Sequence, residues 1–104
     1  MTNFMANKQD LLAFLDRRVF DPILHASANT YSEADQKKLK DVQDRTRSEK
    51  ERFRTYGSAH EVIENYKRDL HSRTAKRVNS ELEHLKLPTL PSVEDEFLKK
   101  AGEE

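Results

Sequence analysis

From Ser32 to Leu87 the chain contains no proline and a single glycine, Gly57. So long a run without helix breakers, dense in Lys, Arg, Glu, Asp and Gln, predicts two long helices meeting at one tight break, Tyr56-Gly57-Ser58. Ser32-Glu33-Ala34-Asp35 opens the first arm with a capping signature, and Gly57 is expected to supply the left-handed residue that helix C-termini favour. Ser58 and Glu61 form a Ser-x-x-Glu capping box for the second arm, and Leu87-Pro88 stops it. The fold class is therefore all-α: a long antiparallel helical hairpin (about 32–56 and 58–86), each arm roughly 40 Å long at 1.5 Å per residue.

Apolar residues make up 35% of the chain and charged residues 37%. That is less apolar material than the roughly 45–50% of ordinary globular domains, so each helix has one buried stripe and little more. In the first arm Leu39, Val42, Thr46, Glu49, Phe53 and Tyr56 alternate at spacings of three and four, the rhythm of a coiled coil with a polar middle. In the second arm Val62, Ile63, Tyr66 and Leu70 lead to Thr74, then Val78, Leu82 and Leu85. Folding about Gly57 sets Phe53 and Tyr56 against Val62, Ile63 and Tyr66, and Leu39 near Ala75 and Val78. Between these clusters, around Thr46, Glu49 and Thr74, the hairpin is expected to be thinly packed. Such thin burial leads us to expect a homodimer.

The rest of the chain supplies cover. An N-terminal amphipathic helix is expected from Asn7, whose side chain can cap, with Asp10 in the first turn and Leu11, Leu12, Phe14, Leu15 and Val19 on one face. Asp21-Pro22 either interrupts it or restarts it with Pro in the first turn, and residues 27–31 read as a loop. After an extended Thr89-Leu90-Pro91, Ser92-Val93-Glu94-Asp95 begins a short C-terminal helix carrying Phe97 and Leu98, and Gly102-Glu103-Glu104 frays. The N-terminal helix and this tail are expected to cover the hairpin's open end. Residues 1–104 thus read as one helical domain, with a helical N-terminal region (1–26), the hairpin (32–86) and a Pro-containing acidic tail (87–104).

Function is constrained mostly by exclusion. There is no cysteine, hence no disulfide framework and no thiolate chemistry. The N-terminal apolar run is broken by Lys8, Asp10, Asp16, Arg17 and Arg18, unlike a signal peptide, so a cytoplasmic protein is expected. Its Phe4, Met5, Leu11, Leu12, Phe14 and Leu15 could face a membrane, but Asp10 and Asp16 lie among them and packing on the hairpin explains the same residues. His60-Glu61-Val62-Ile63-Glu64 resembles the zinc-protease pattern but has Glu64 where the second His belongs. Glu81-Leu82-Glu83-His84 holds one Glu-x-x-His where di-iron bundles use two, and His84 is read as a partly buried structural residue. Two glycines, Gly57 and Gly102, cannot build a phosphate loop or a nucleophile elbow. We therefore expect no enzyme, no metal and no cofactor.

Two surfaces remain. At the tip, Arg52, Phe53, Tyr56 and Tyr66 would form a partner-binding patch if the aromatics face outward. Along the hairpin, residues 36–77 hold 13 Lys and Arg against 7 Asp and Glu. Arg45, Lys67, Arg68, Arg73, Lys76 and Arg77 are the candidate phosphate contacts of a nucleic-acid surface within residues 45–77. Against that surface, acids stand three or four residues from basic partners (Glu49–Arg45, Glu64–Arg68, Asp69–Arg73), the pattern of solvated, ion-paired helix faces. The favoured expectation is a non-catalytic protein–protein interaction or self-assembly module, the alternative a nucleic-acid-binding one.

Overall fold

The computed structural model describes residues 7–102, and among these every regular element is helical. Phe4, Met5 and the expected fraying at Glu103-Glu104 lie outside the described residues. Asn7 is extended, and its side chain accepts hydrogen bonds from the Gln9 and Asp10 amides to start α1 (Lys8–Leu15). Pro22 does not end this helix. The backbone widens into a π-helical turn, Asp16–Phe20, where the Asp21 N–H bonds to Asp16 O, and continues as α2 (Asp21–Leu24). Proline offers no N–H to the carbonyl four residues back, and its ring crowds that carbonyl. A wider turn immediately before Pro22 accommodates both effects. Gln43 then collects the carbonyls at the end of α2, its Nε2 donating to Ile23, Leu24 and Ala26 oxygens at 3.1, 3.4 and 3.2 Å.

A single 3-10 turn, Ala28–Thr30, occupies the expected loop, and Ser32 caps α3 (Glu33–Arg54). At the hairpin tip Gly57 is not left-handed, contrary to expectation. Instead Thr55 closes on Arg52 O through both its N–H and its hydroxyl, and the Tyr56 N–H bonds to Phe53 O, so α3 ends in tight i→i+3 bonds. The capping box forms as read: Ser58 Oγ accepts from the Glu61 N–H, and the Glu61 carboxylate accepts from the Gly57 N–H at 2.9 Å.

The second arm is two helices, not one. α4 (Ala59–Leu70) stops at His71, and Ser72 Oγ accepts from the Ala75 N–H to start α5 (Arg73–His84). A serine inside a helical pattern is a common sight, and Ser72 has no acid three residues on to mark it as a cap; the break therefore goes unannounced. α5 ends in a Schellman turn, with Leu87 N–H on Leu82 O and Lys86 N–H on Glu83 O, and with Lys86 in the left-handed region at φ 60°. The expected extended segment is also shorter than read. Thr89 and Ser92 cap each other reciprocally, and a 3-10 turn, Pro91–Val93, leads into α6 (Glu94–Lys100).

These breaks decide the packing. α5 returns antiparallel along α3, closing its end with His84 Nε2 3.0 Å from Asp35 Oδ1 and with the Tyr31 hydroxyl on Leu85 O. His84 is thus exposed and in hydrogen-bond contact with Asp35, not buried. The N-terminal helix runs antiparallel down the other side of α3, with Asp16 facing Arg54 and Lys50 bonding Asp21 at 2.8 Å. α4 leans onto α1, and α6 also packs on α1. The covering elements therefore sit beside the tip half of the hairpin, not over its open end as expected. The reason is aromatic: Phe20 meets Phe53 edge-on at 5.7 Å, and Phe97 stacks on Tyr66 at 4.0 Å and meets Phe14. Fully burying one such ring contributes roughly 1.5–3 kcal/mol, more than any exposed ion pair. A forked Arg18–Glu96 pair ties the two covering helices together at the surface. The result is a bundle of 53 × 24 × 23 Å.

Two backbone positions give a direct check. A Cβ at Gly57 would meet only the Glu61 carboxylate at ordinary contact distance, so Gly57→Ala should stabilise by about 0.4–1 kcal/mol. Lys86→Gly, which relieves a left-handed side chain, should stabilise by about 1 kcal/mol. Urea denaturation of both variants beside the parent reads the two values.

Candidate functional site

Where the hairpin's middle was expected to be thin, the arms do not close. A groove of about 730 Å³ lies between α3 and the α4–α5 break. Its cause is in the facing residues: α3 offers Thr46 and Glu49 where α5 offers Thr74 and Ala75, and none is large enough or apolar enough to fill the space between helix axes. The turn at His71–Ser72 then carries α4 away toward α1. Val19, Ile23, Leu82 and Leu90 supply an apolar wall.

The polar wall is a shared ion pair. Arg52 Nη2 is 2.5 Å from Asp69 Oδ2 on α4 and 3.6 Å from Glu49 Oε2 one turn back on α3. Arg68 Nε stands 3.9 Å from the other oxygen of Asp69. Asp69 is nearly buried, Glu49 is 29% exposed and Arg52 is 44% exposed with its guanidinium beside the Phe53 ring. Burial pushes the Glu49 carboxyl up to about 7, with the nearby Asp69 charge adding to the effect and Arg52 opposing it. A carboxyl that changes charge near neutrality inside a cleft is a recurrent mark of a functional site.

The residues singled out from sequence are dispersed. Arg52 lines the groove, but Phe53 and Tyr66 are completely buried, so the outward aromatic patch does not exist. Phe20 and Phe97, which come from segments outside the hairpin, cover them. The Tyr66 hydroxyl donates to Leu90 O at 2.5 Å, and burial, with Glu94 and Asp95 nearby, raises its pKa. Tyr56 is half-buried against Phe53, its hydroxyl enclosed without a partner.

The basic candidates divide between two faces. Arg45 and Arg68 line the groove, where Arg45 pairs with Asp41 and Arg68 bonds Asn65. Lys67 is half-buried on α4. Arg73, Lys76 and Arg77 are exposed and make no ion pair with a described residue. At about 100° per residue they lie on the side of α5 opposite Ala75, Val78 and Leu82. The expected Asp69–Arg73 pair is absent because the helix breaks between its members, and Glu49 and Arg45 each turn to a different partner. Sequence reasoning missed Asp69 as a site residue; only its place opposite the polar stretch of α3 could have pointed to it.

Among the described residues, no group of three His, Cys, Asp or Glu is placed to hold a metal, and no helix is long and apolar enough to cross a membrane. Comparison with protein-family models, curated proteins and solved structures found no match.

The groove carries a pH signature. Because the folded pKa of Glu49 lies above its unfolded value of 4.5, the folded state holds the extra proton between about pH 4.5 and 7, and stability falls as pH rises through that window. Glu96, held below the usual range by Arg18, acts only at lower pH and with the opposite sign. Glu49→Gln should flatten the loss between pH 5 and 8, recovering on the order of 1–2 kcal/mol at the alkaline end after allowance for its partial exposure. Chemical denaturation of parent and variant across that range measures it.

Proposed function

We propose that the protein is a non-catalytic binding module whose groove between α3 and α5 receives an amphipathic helix from a protein partner. The observation that carries this reading is the groove itself. It is a slot between two antiparallel helices, apolar on one wall and charged on the other, the arrangement into which a third helix packs its apolar face. Its volume also lies in the range of ligand sites formed between bundle helices. A second copy of this chain is the self-assembly form of the same idea. The homodimer expected from thin packing would use this groove, where the apolar wall is open. A cytoplasmic location fits such a role.

A nucleic-acid reading rests on a different observation, Arg73, Lys76 and Arg77 on the outer face of α5. Three exposed cations within two turns, with no carboxylate partner among the described residues, are suited to phosphates.

A photo-crosslinking side chain placed at Asn79 in the groove, with a control at exposed Glu51, tests the first reading in cells. We expect a discrete adduct from Asn79 that disappears with Val78→Arg and survives Glu replacement of Arg73, Lys76 and Arg77. An adduct of twice the chain's mass identifies a second copy as occupant. No adduct from Asn79, or one indifferent to Val78→Arg, overturns the reading. Loss of salt-sensitive duplex binding on the triple Glu replacement would support the nucleic-acid reading instead.

A further inference from the structure

Glu49 and Asp69 belong to different helices yet share the Arg52 guanidinium, Asp69 having Arg68 as a second, longer contact at 3.9 Å. Arg52 is committed to Asp69 at 2.5 Å and reaches Glu49 only at 3.6 Å. Asp69 stands two residues before His71–Ser72, where α4 has ended and α5 has not begun. Any force between Glu49 and Asp69 therefore acts on the end of α4 next to a ready pivot. We propose that the groove is proton-gated: with Glu49 protonated the end of α4 is held against α3 through Arg52, and with Glu49 ionised the two carboxylates compete for Arg52, driving the end of α4 away from α3 and changing the groove's mouth. The biological meaning of this gate rests on the groove being the docking site, but the gate itself is a property of the free protein.

The surroundings leave Glu49 as the group that moves. On α3, Asp44 is engaged by Arg47 and Arg45 by Asp41. From α4 the charged neighbours are Asp69 and Arg68. From the N-terminal helix, Asp16 and Asp21 face Arg54 and Lys50. The α5 wall is neutral, with Thr74, Ala75, Val78 and Asn79, and the tail contributes Leu90. Asp69 is nearly buried and Glu49 only partly exposed, so two ionised carboxylates repel more there than on an open helix face. The pull toward neutrality in Glu49, which titrates at about 7, is the same imbalance expressed as proton affinity. At the pivot itself stand exposed His71 and, at the start of α5, exposed Arg73.

Because the chain has no cysteine, spin labels can be placed uniquely at Glu51→Cys on α3 and at exposed Glu64→Cys on α4, toward the end that moves. We expect their distance distribution to shift or broaden by about 2 Å, the scale of a helix displacement, with a midpoint near pH 7. In the Glu49→Gln background the low-pH distribution should persist at every pH, whereas His71→Gln should leave the transition intact. Asp69→Asn, with folding checked by circular dichroism, should abolish the transition or move it to lower pH. A distribution that does not change with pH, or one that changes equally with Gln at position 49, overturns the proposal. No partner is present in this measurement, so its failure leaves the docking reading standing, and a missing crosslink at Asn79 leaves the gate standing.

Discussion

The scarcity of apolar side chains in the middle of α3 is the constraint from which the rest of the architecture follows. Between Val42 and Phe53 only Thr46 is buried on that helix, and a pair of helices cannot approach closely over a stretch with nothing to interdigitate. The second arm responds by breaking. α4 finds its apolar neighbours on α1, while α5 alone returns to α3. One bare stretch of α3 thus produces both the groove and the leaning of the tip toward the N-terminal helix.

Electrostatics follows the same division. Ion pairs within one helix, such as Arg47 with Asp44, contribute little. Other polar pairs join different elements: Lys50 with Asp21, Arg54 with Asp16, Arg18 with Glu96, His84 with Asp35, and Arg52 with Asp69. In the last, beside the groove's apolar wall, Arg52 also reaches the Glu49 carboxylate. Burial there pushes the Glu49 carboxyl up to about 7 and makes the bundle's stability depend on pH near neutrality.

Much of this was legible in the residues. The helical class, the caps at Asn7, Ser32 and Ser58, the tip at Gly57 and the thin middle around Thr46 and Glu49 all follow from local chemistry. What escaped depends on contacts between distant segments. Nothing near Phe53 or Tyr66 reveals that Phe20 and Phe97 will cover them; local pattern sets both at the tip but leaves open which way the rings face. The break at Ser72 escaped for a local reason, since a lone serine caps a helix only when the chain already has cause to turn. Asp69 looked like a member of a helical ion-pair ladder; the turn two residues later redirects it across the groove.

The stacking of Tyr66 on Phe97 has a consequence for the order in which the molecule is assembled. Tyr66 belongs to the hairpin, but the ring that covers it arrives 31 residues later in the chain, and the Arg18–Glu96 clasp spans 78 residues. Closing so large a loop is entropically costly, so these contacts are late rewards on the way to the folded state. A nascent chain that has already wound α3, α4 and α5 still presents an uncovered tyrosine to the solvent, and the last helix acts as the latch that ends that interval.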